Sequence, residues 1–104
     1  MVKQLTSEDE WNQVKNSPTP VIIDFTATWC GPCKMIAPFF GELSTKYPSV
    51  KFVKVDVDEL DTVAQECAIT AMPTFQVWQN GKKVNEMVGA SKDKLEELVA
   101  SLMP

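Results

Sequence analysis

Val21-Ile22-Ile23-Asp24-Phe25-Thr26-Ala27-Thr28-Trp29-Cys30-Gly31-Pro32-Cys33-Lys34 is the stretch from which the architecture of this chain follows. Its first six residues have the length and β-branched content of a buried strand. The residues from Cys33 to about Tyr47 read as a helix, with Ile36, Phe39, Phe40, Leu43 and Tyr47 forming an apolar stripe at three- and four-residue spacing. Pro38 falls inside it and should kink it by removing one backbone donor. A Cys-x-x-Cys at this junction sets Cys30 at or near the N-cap, over the unpaired N–H groups and positive end of the helix dipole. That setting favours the thiolate and makes an exposed Cys30 nucleophilic near neutral pH. Pro32 has no N–H, so Cys33 offers the nearest backbone donor to the Cys30 sulfur. Cys33 lies one turn further in, more buried and within disulfide reach. The chemistry implied is reversible dithiol–disulfide exchange.

Two other readings of the cysteines compete. A zinc site ordinarily takes four Cys or His ligands. This chain has no histidine and one further cysteine, so a metal or Fe–S site shared between subunits is what stays open. A purely structural disulfide would close a loop too small to stabilise much.

Outward from this stretch, elements alternate. Val2–Leu5 is a strand, followed by a helix capped at Thr6 or Ser7, with Ser7 and Glu10 spaced as a capping box and Leu5 and Trp11 placed to staple it. That helix ends before Pro18 and Pro20. Lys51–Val57 is a second buried strand, and Leu60, Val63, Ala64 and Cys67 mark a short helix face. Thr74–Trp78 and Lys83–Val88 are strands joined through Asn80-Gly81, a strong hairpin signal. A last helix, capped by Ser91, carries Leu95, Leu98, Val99 and Leu102. The order, βαβαβα then ββα, predicts an α/β fold: one mixed five-stranded sheet, four flanking helices, and a hairpin adding an antiparallel edge.

At 104 residues the chain reads as a single domain over 1–104. A net charge of −4, with ten lysines and no arginine, argues against nucleic acid or an anionic membrane as partner. No apolar run approaches the roughly 20 residues of a membrane span. The acidic start, without an apolar signal segment, and the odd number of cysteines point to a cytoplasmic address.

Asp24-Phe25-Thr26-Ala27-Thr28-Trp29-Cys30-Gly31-Pro32-Cys33-Lys34-Met35 resembles the active-site signature of the thioredoxin family. Lys54-Val55-Asp56-Val57-Asp58, Met72-Pro73-Thr74-Phe75 and Val88-Gly89-Ala90 match in order. The resemblance spans nearly the whole chain and is to the eukaryotic cytosolic type. It implies the thioredoxin fold and a protein-disulfide reductase in which Cys30 attacks, Cys33 resolves, and Gly31 and Pro32 complete the motif. Asp24 would accept the Cys33 proton through a water, and Lys54 would modulate Asp24. Trp29 would be held by Asp58, and Met72-Pro73, by a cis bond, would face the cysteines. With Trp29, Gly31, Pro32, Val88, Gly89 and Ala90 this makes an uncharged docking surface, with Gly89 there because a side chain would block backbone approach.

The same resemblance implies no bound cofactor and no metal. Electrons would come from NADPH through a separate flavoprotein, thioredoxin reductase, to clients such as peroxiredoxin, ribonucleotide reductase and methionine sulfoxide reductase, with the chain a monomer. The alternative is a redox-gated regulatory binding protein without turnover.

Each residue also has a plainer reading. Burial among aliphatics should raise the Asp24 pKa, unless Asp24 turns to solvent or caps the next loop. Lys54 could simply snorkel, and Asp58 could belong to a solvated acidic run at 56–59. Cys67 completes an apolar stripe and reads as core, with a regulatory thiol as the alternative. Ala71 stands where some animal family members carry a cysteine that supports a dimer.

Overall fold

The computed structural model describes residues 1–103. Its elements are β1 (Val2–Gln4), α1 (Glu8–Lys15), β2 (Val21–Thr26), α2 (Gly31–Lys46), β3 (Lys51–Asp56), α3 (Asp61–Glu66), β4 (Thr74–Gln79), β5 (Lys82–Val88) and α4 (Lys92–Ala100). The strand order is β1-β3-β2-β4-β5. The first three strands are parallel, while β4 runs antiparallel to β2 and β5 antiparallel to β4. The hairpin therefore contributes an inner strand as well as the edge.

Strand alternation sorts the core into two layers. Ile22, Phe52, Phe75 and Val77 meet Ile36, Phe40 and Leu43 of α2 and Leu95, Leu98 and Val99 of α4 on one face. Val21, Ile23, Phe25, Val53 and Val55 meet Trp11 of α1 and Val63 of α3 on the other. Full burial of such side chains contributes about 1.5–3 kcal/mol each, which makes this pattern the main determinant of register. Gln76, wholly buried in β4, is satisfied on every side. Its amide donates to the Cys67 carbonyl at 2.9 Å and to Glu86 at 2.7 Å, and its oxygen accepts from the Trp78 indole at 2.9 Å.

Local chemistry sets the ends. Ser7 caps α1 by accepting from the Glu10 N–H at 3.2 Å. The return bond departs from the expected box: Glu10 accepts from the N–H and hydroxyl of Thr6, both at 2.8 Å, one residue earlier than Ser7. Ser91 caps α4. Asn80 and Gly81 both have positive φ, 53° and 79°, the signature of a tight I′ hairpin turn.

Helix α2 begins at Gly31, two residues before the expected Cys33, and stays one helix through Pro38. Gly31 and Pro32 look like breakers, but first-turn residues have no intrahelical acceptor for their N–H, so proline costs nothing there. Gly41 lies in mid-helix with open space around the position of a Cβ. Gly41→Ala is expected to stabilise the domain by about 0.5–1 kcal/mol, read as a higher urea midpoint at unchanged slope.

Candidate active site

Cys30 is the N-cap of α2, and its sulfur accepts the Cys33 N–H at 3.2 Å. It occupies the place of a capping serine or aspartate, with proline in the first turn leaving Cys33 as donor. The two cysteines form a disulfide. The expectation of an exposed Cys30 is corrected: it is 6% exposed and Cys33 1%. Both sulfur-bearing residues pack with Ala27 against the partly buried Val57 and Met72. These covers come from two distant loops, which is why the local sequence did not reveal them. Cys30 remains the more accessible of the pair.

Near them lie the residues expected to form a docking surface. Trp29 is 66% exposed, and its indole N–H donates to Asp58 at 2.9 Å. The Met72–Pro73 bond is cis. The Gly89 N–H donates to the Pro73 carbonyl at 2.9 Å, and Thr74 pairs with Val88, so the 88–90 segment lies beside the Met-Pro turn. Val88 and Ala90 are exposed, as are Gly31 and Pro32. Gly89 has a φ of +107°, and a Cβ there would meet nothing within 4 Å. Within the chain, backbone conformation rather than crowding calls for glycine.

Asp24 shares the α2 face of the sheet with Ile22, aligned between Lys54 of β3 and Phe75 of β4. It is buried, and its Oδ1 has no hydrogen-bond partner among the described residues. Burial pushes its carboxyl up to about 7, with the nearby Lys54 ammonium pulling the other way. The reading in which Asp24 turns to solvent is thereby excluded. Lys54 is half-buried and lines, with Cys33, Ala37, Asp56 and Glu59, a cleft of about 420 Å³. Cys67 is buried, and desolvation, followed by the Glu66 carboxylate, pushes its thiol up to about 12. Such a thiol is inert at neutral pH.

Three residues escaped the sequence reading. Val57 was read only as a strand end and packs against the cluster of Ala27, Cys30 and Cys33. Met35, 75% exposed, lies one turn beyond Pro32, outside the apolar stripe. Asp56 was counted in an acidic run, yet it is buried and accepts two backbone N–H groups. Its Asp-x-Asp spacing after a strand was the available signal. Among the described residues no group of His, Cys, Asp and Glu could hold a metal ion, and no helix is long and apolar enough to cross a membrane.

Comparison with known proteins agrees with this geometry. The family profile described as Thioredoxin matches residues 1–101. Thioredoxin of Equus caballus is 50% identical over 99% of this chain and 100% of its own length. The solved thioredoxin of Plasmodium falciparum superposes with a TM-score of 0.92 at 44% identity, covering 95% of this chain and 97% of that one. A chain solved in work on thiol resolution in yeast mitochondrial 1-Cys peroxiredoxin via glutathione/thioredoxin systems gives 0.90 at 40% identity, over 96% of this chain and 94% of that one. With the thioredoxin fold and a disulfide across Cys30-Gly31-Pro32-Cys33, the chain belongs to the thioredoxin family and is a thiol–disulfide oxidoreductase with protein-disulfide reductase activity.

Proposed function

We propose that this chain, acting as one domain over residues 1–104, is a general electron donor to protein disulfides, with Cys30 as nucleophile and Cys33 as resolving thiol. The observation that carries the assignment is the N-capping position of the Cys30 sulfur on the Cys33 N–H, beneath an uncharged rim. In the reduced protein the helix end and that donor stabilise a Cys30 thiolate. It attacks one sulfur of the client disulfide, forming a mixed disulfide and expelling the other client sulfur as thiolate, which takes up a proton. The Cys33 thiol passes its proton to Asp24, through a water, and attacks the Cys30 sulfur. The Cys30–Cys33 bond forms as the mixed disulfide breaks, and the second client sulfur leaves as thiolate and is protonated. The client gains two electrons and two protons.

Asp24 suits this task because its pKa of about 7 matches the working pH. Lys54 modulates it by charge. Trp29, Gly31, Pro32, Met72, Pro73, Val88, Gly89 and Ala90 receive an extended client segment, with free Met72 backbone groups pairing to it as an added strand would. Electrons return from NADPH through a flavoprotein thioredoxin reductase, in the cytoplasm, with the chain monomeric. Clients are of the kind that includes peroxiredoxin, ribonucleotide reductase and methionine sulfoxide reductase. The solved relative from the peroxiredoxin work supports the first of these.

The test is reduction of insulin by catalytic amounts of this protein with NADPH and purified reductase. Many turnovers per molecule are expected. Stoichiometric consumption without turnover would favour a redox-gated binding protein instead.

A further inference from the structure

The turn between β3 and α3 sends two groups to the reactive end of the molecule. Val57 packs against the cluster formed by Ala27, Cys30 and Cys33, and the Asp58 carboxylate accepts the Trp29 indole N–H at 2.9 Å. Neither residue lies in a helix or strand. The turn is held from its first residue. Asp56 Oδ1 accepts the Asp58 N–H at 2.9 Å and the Glu59 N–H at 3.3 Å, while the Asp56 carbonyl accepts from Glu59 at 3.1 Å and Leu60 at 2.9 Å. The carbonyl bonds recur in any tight turn, whereas the Asp58 N–H has no backbone acceptor among the described residues and depends on the carboxylate. On the far side the Val57 N–H donates to Thr26 at 2.9 Å, and Glu59 accepts from Gln4 at 3.2 Å.

We infer that Asp56 is a positioning residue for the exchange reaction: its carboxylate fixes the turn that seats Val57 against the cluster of Ala27, Cys30 and Cys33 and Asp58 on the Trp29 indole. The inference rests on the reading of Trp29 and the cysteine pair as docking and reacting groups. An exposed indole held by one hydrogen bond is only as well placed as its acceptor, and that acceptor's backbone is anchored by Asp56. Loss of the anchor frees Trp29 to sweep over the client groove and loosens the wall against which the mixed disulfide forms, and reaction rates are steep in such misplacement.

Three substitutions separate hydrogen bonding from charge. Asp56→Ala removes the acceptor. Asp56→Asn keeps an oxygen at the same position without the charge. Asp56→Glu keeps the charge but displaces the oxygen by one methylene. The readouts are the indole ¹H–¹⁵N resonance of Trp29 and the second-order rate of insulin reduction by the pre-reduced protein. In Asp56→Ala the resonance is expected to move toward its position in Asp58→Ala, with the rate falling about five- to tenfold. Asp56→Glu should behave like Asp56→Ala, and Asp56→Asn should restore both readouts.

An unmoved resonance in Asp56→Ala and Asp56→Glu, or an Asp56→Asn as slow as either, overturns the inference. So does a moved resonance with an unchanged rate. Trp29→Ala, measured alongside, then locates the error: a slow Trp29→Ala leaves the docking reading standing, and a fast one removes it.

Discussion

Asp24→Asn is expected to make the protein more stable and slower. The wild-type carboxyl is buried beside Phe75, its Oδ1 has no partner among the described residues, and its pKa stands near 7. In the unfolded chain an aspartate titrates near 3.9. Between these values the folded state holds the proton that the unfolded state has released, so stability falls as pH rises from about 4 to about 7 and then stays level. A gap of about three pH units, at about 1.4 kcal/mol each, corresponds to a cost on the order of 4 kcal/mol.

Asn carries no charge but adds amide hydrogens that need partners. A net gain of about 2–4 kcal/mol is therefore expected above pH 7, vanishing below about pH 4. Urea unfolding at several pH values measures it. The same variant lacks the carboxylate proposed as proton acceptor, so transfer from mixed disulfide to Cys30–Cys33 is expected to slow at least about tenfold at pH 7. A variant less stable than wild type at pH 8 would mean that the carboxylate is paired in solution.

The second large effect divides the cysteines. Either Ser substitution should abolish turnover, because a hydroxyl is not ionised at neutral pH and no dithiol remains to close the cycle. The variants differ in what they can still do. Cys33→Ser keeps the N-cap sulfur and leaves the backbone N–H at position 33 as its donor, so the first attack should survive. Cys30→Ser leaves one thiol that is 1% exposed in the native fold and does not hold the N-cap position. Its first attack should be lost. Single-turnover mixing with a disulfide client in excess reads this directly.

Much of this was legible along the chain for definite reasons. The Val21–Thr26 run, the apolar stripe of α2 and the Asn80-Gly81 turn each carry a period or a dihedral demand that short-range chemistry reads out. An acid among aliphatics announced Asp24. The resemblance supplied the cis bond at Met72-Pro73 and the Trp29–Asp58 pair, neither of which has a local signature.

What stayed hidden depended on chain crossings. The cover over Cys30 comes from Val57 and Met72, tens of residues away. The burial of Gln76 has no local signal, since its partners Cys67, Trp78 and Glu86 are brought to it by the fold. The early start of α2 was masked because Gly31 and Pro32 break helices everywhere except in the first turn. Gly89 needed its dihedral angle to be understood.

The most direct test of the division of labour is capture of a client. Reduced Cys33→Ser and Cys30→Ser are each incubated with the same disulfide-bonded protein, quenched in acid, and mapped by non-reducing mass spectrometry. A stable mixed disulfide through Cys30 is expected in Cys33→Ser, and no adduct through Cys33 in Cys30→Ser. Equal capture by the two variants, or an adduct mapped to Cys33, would contradict that division.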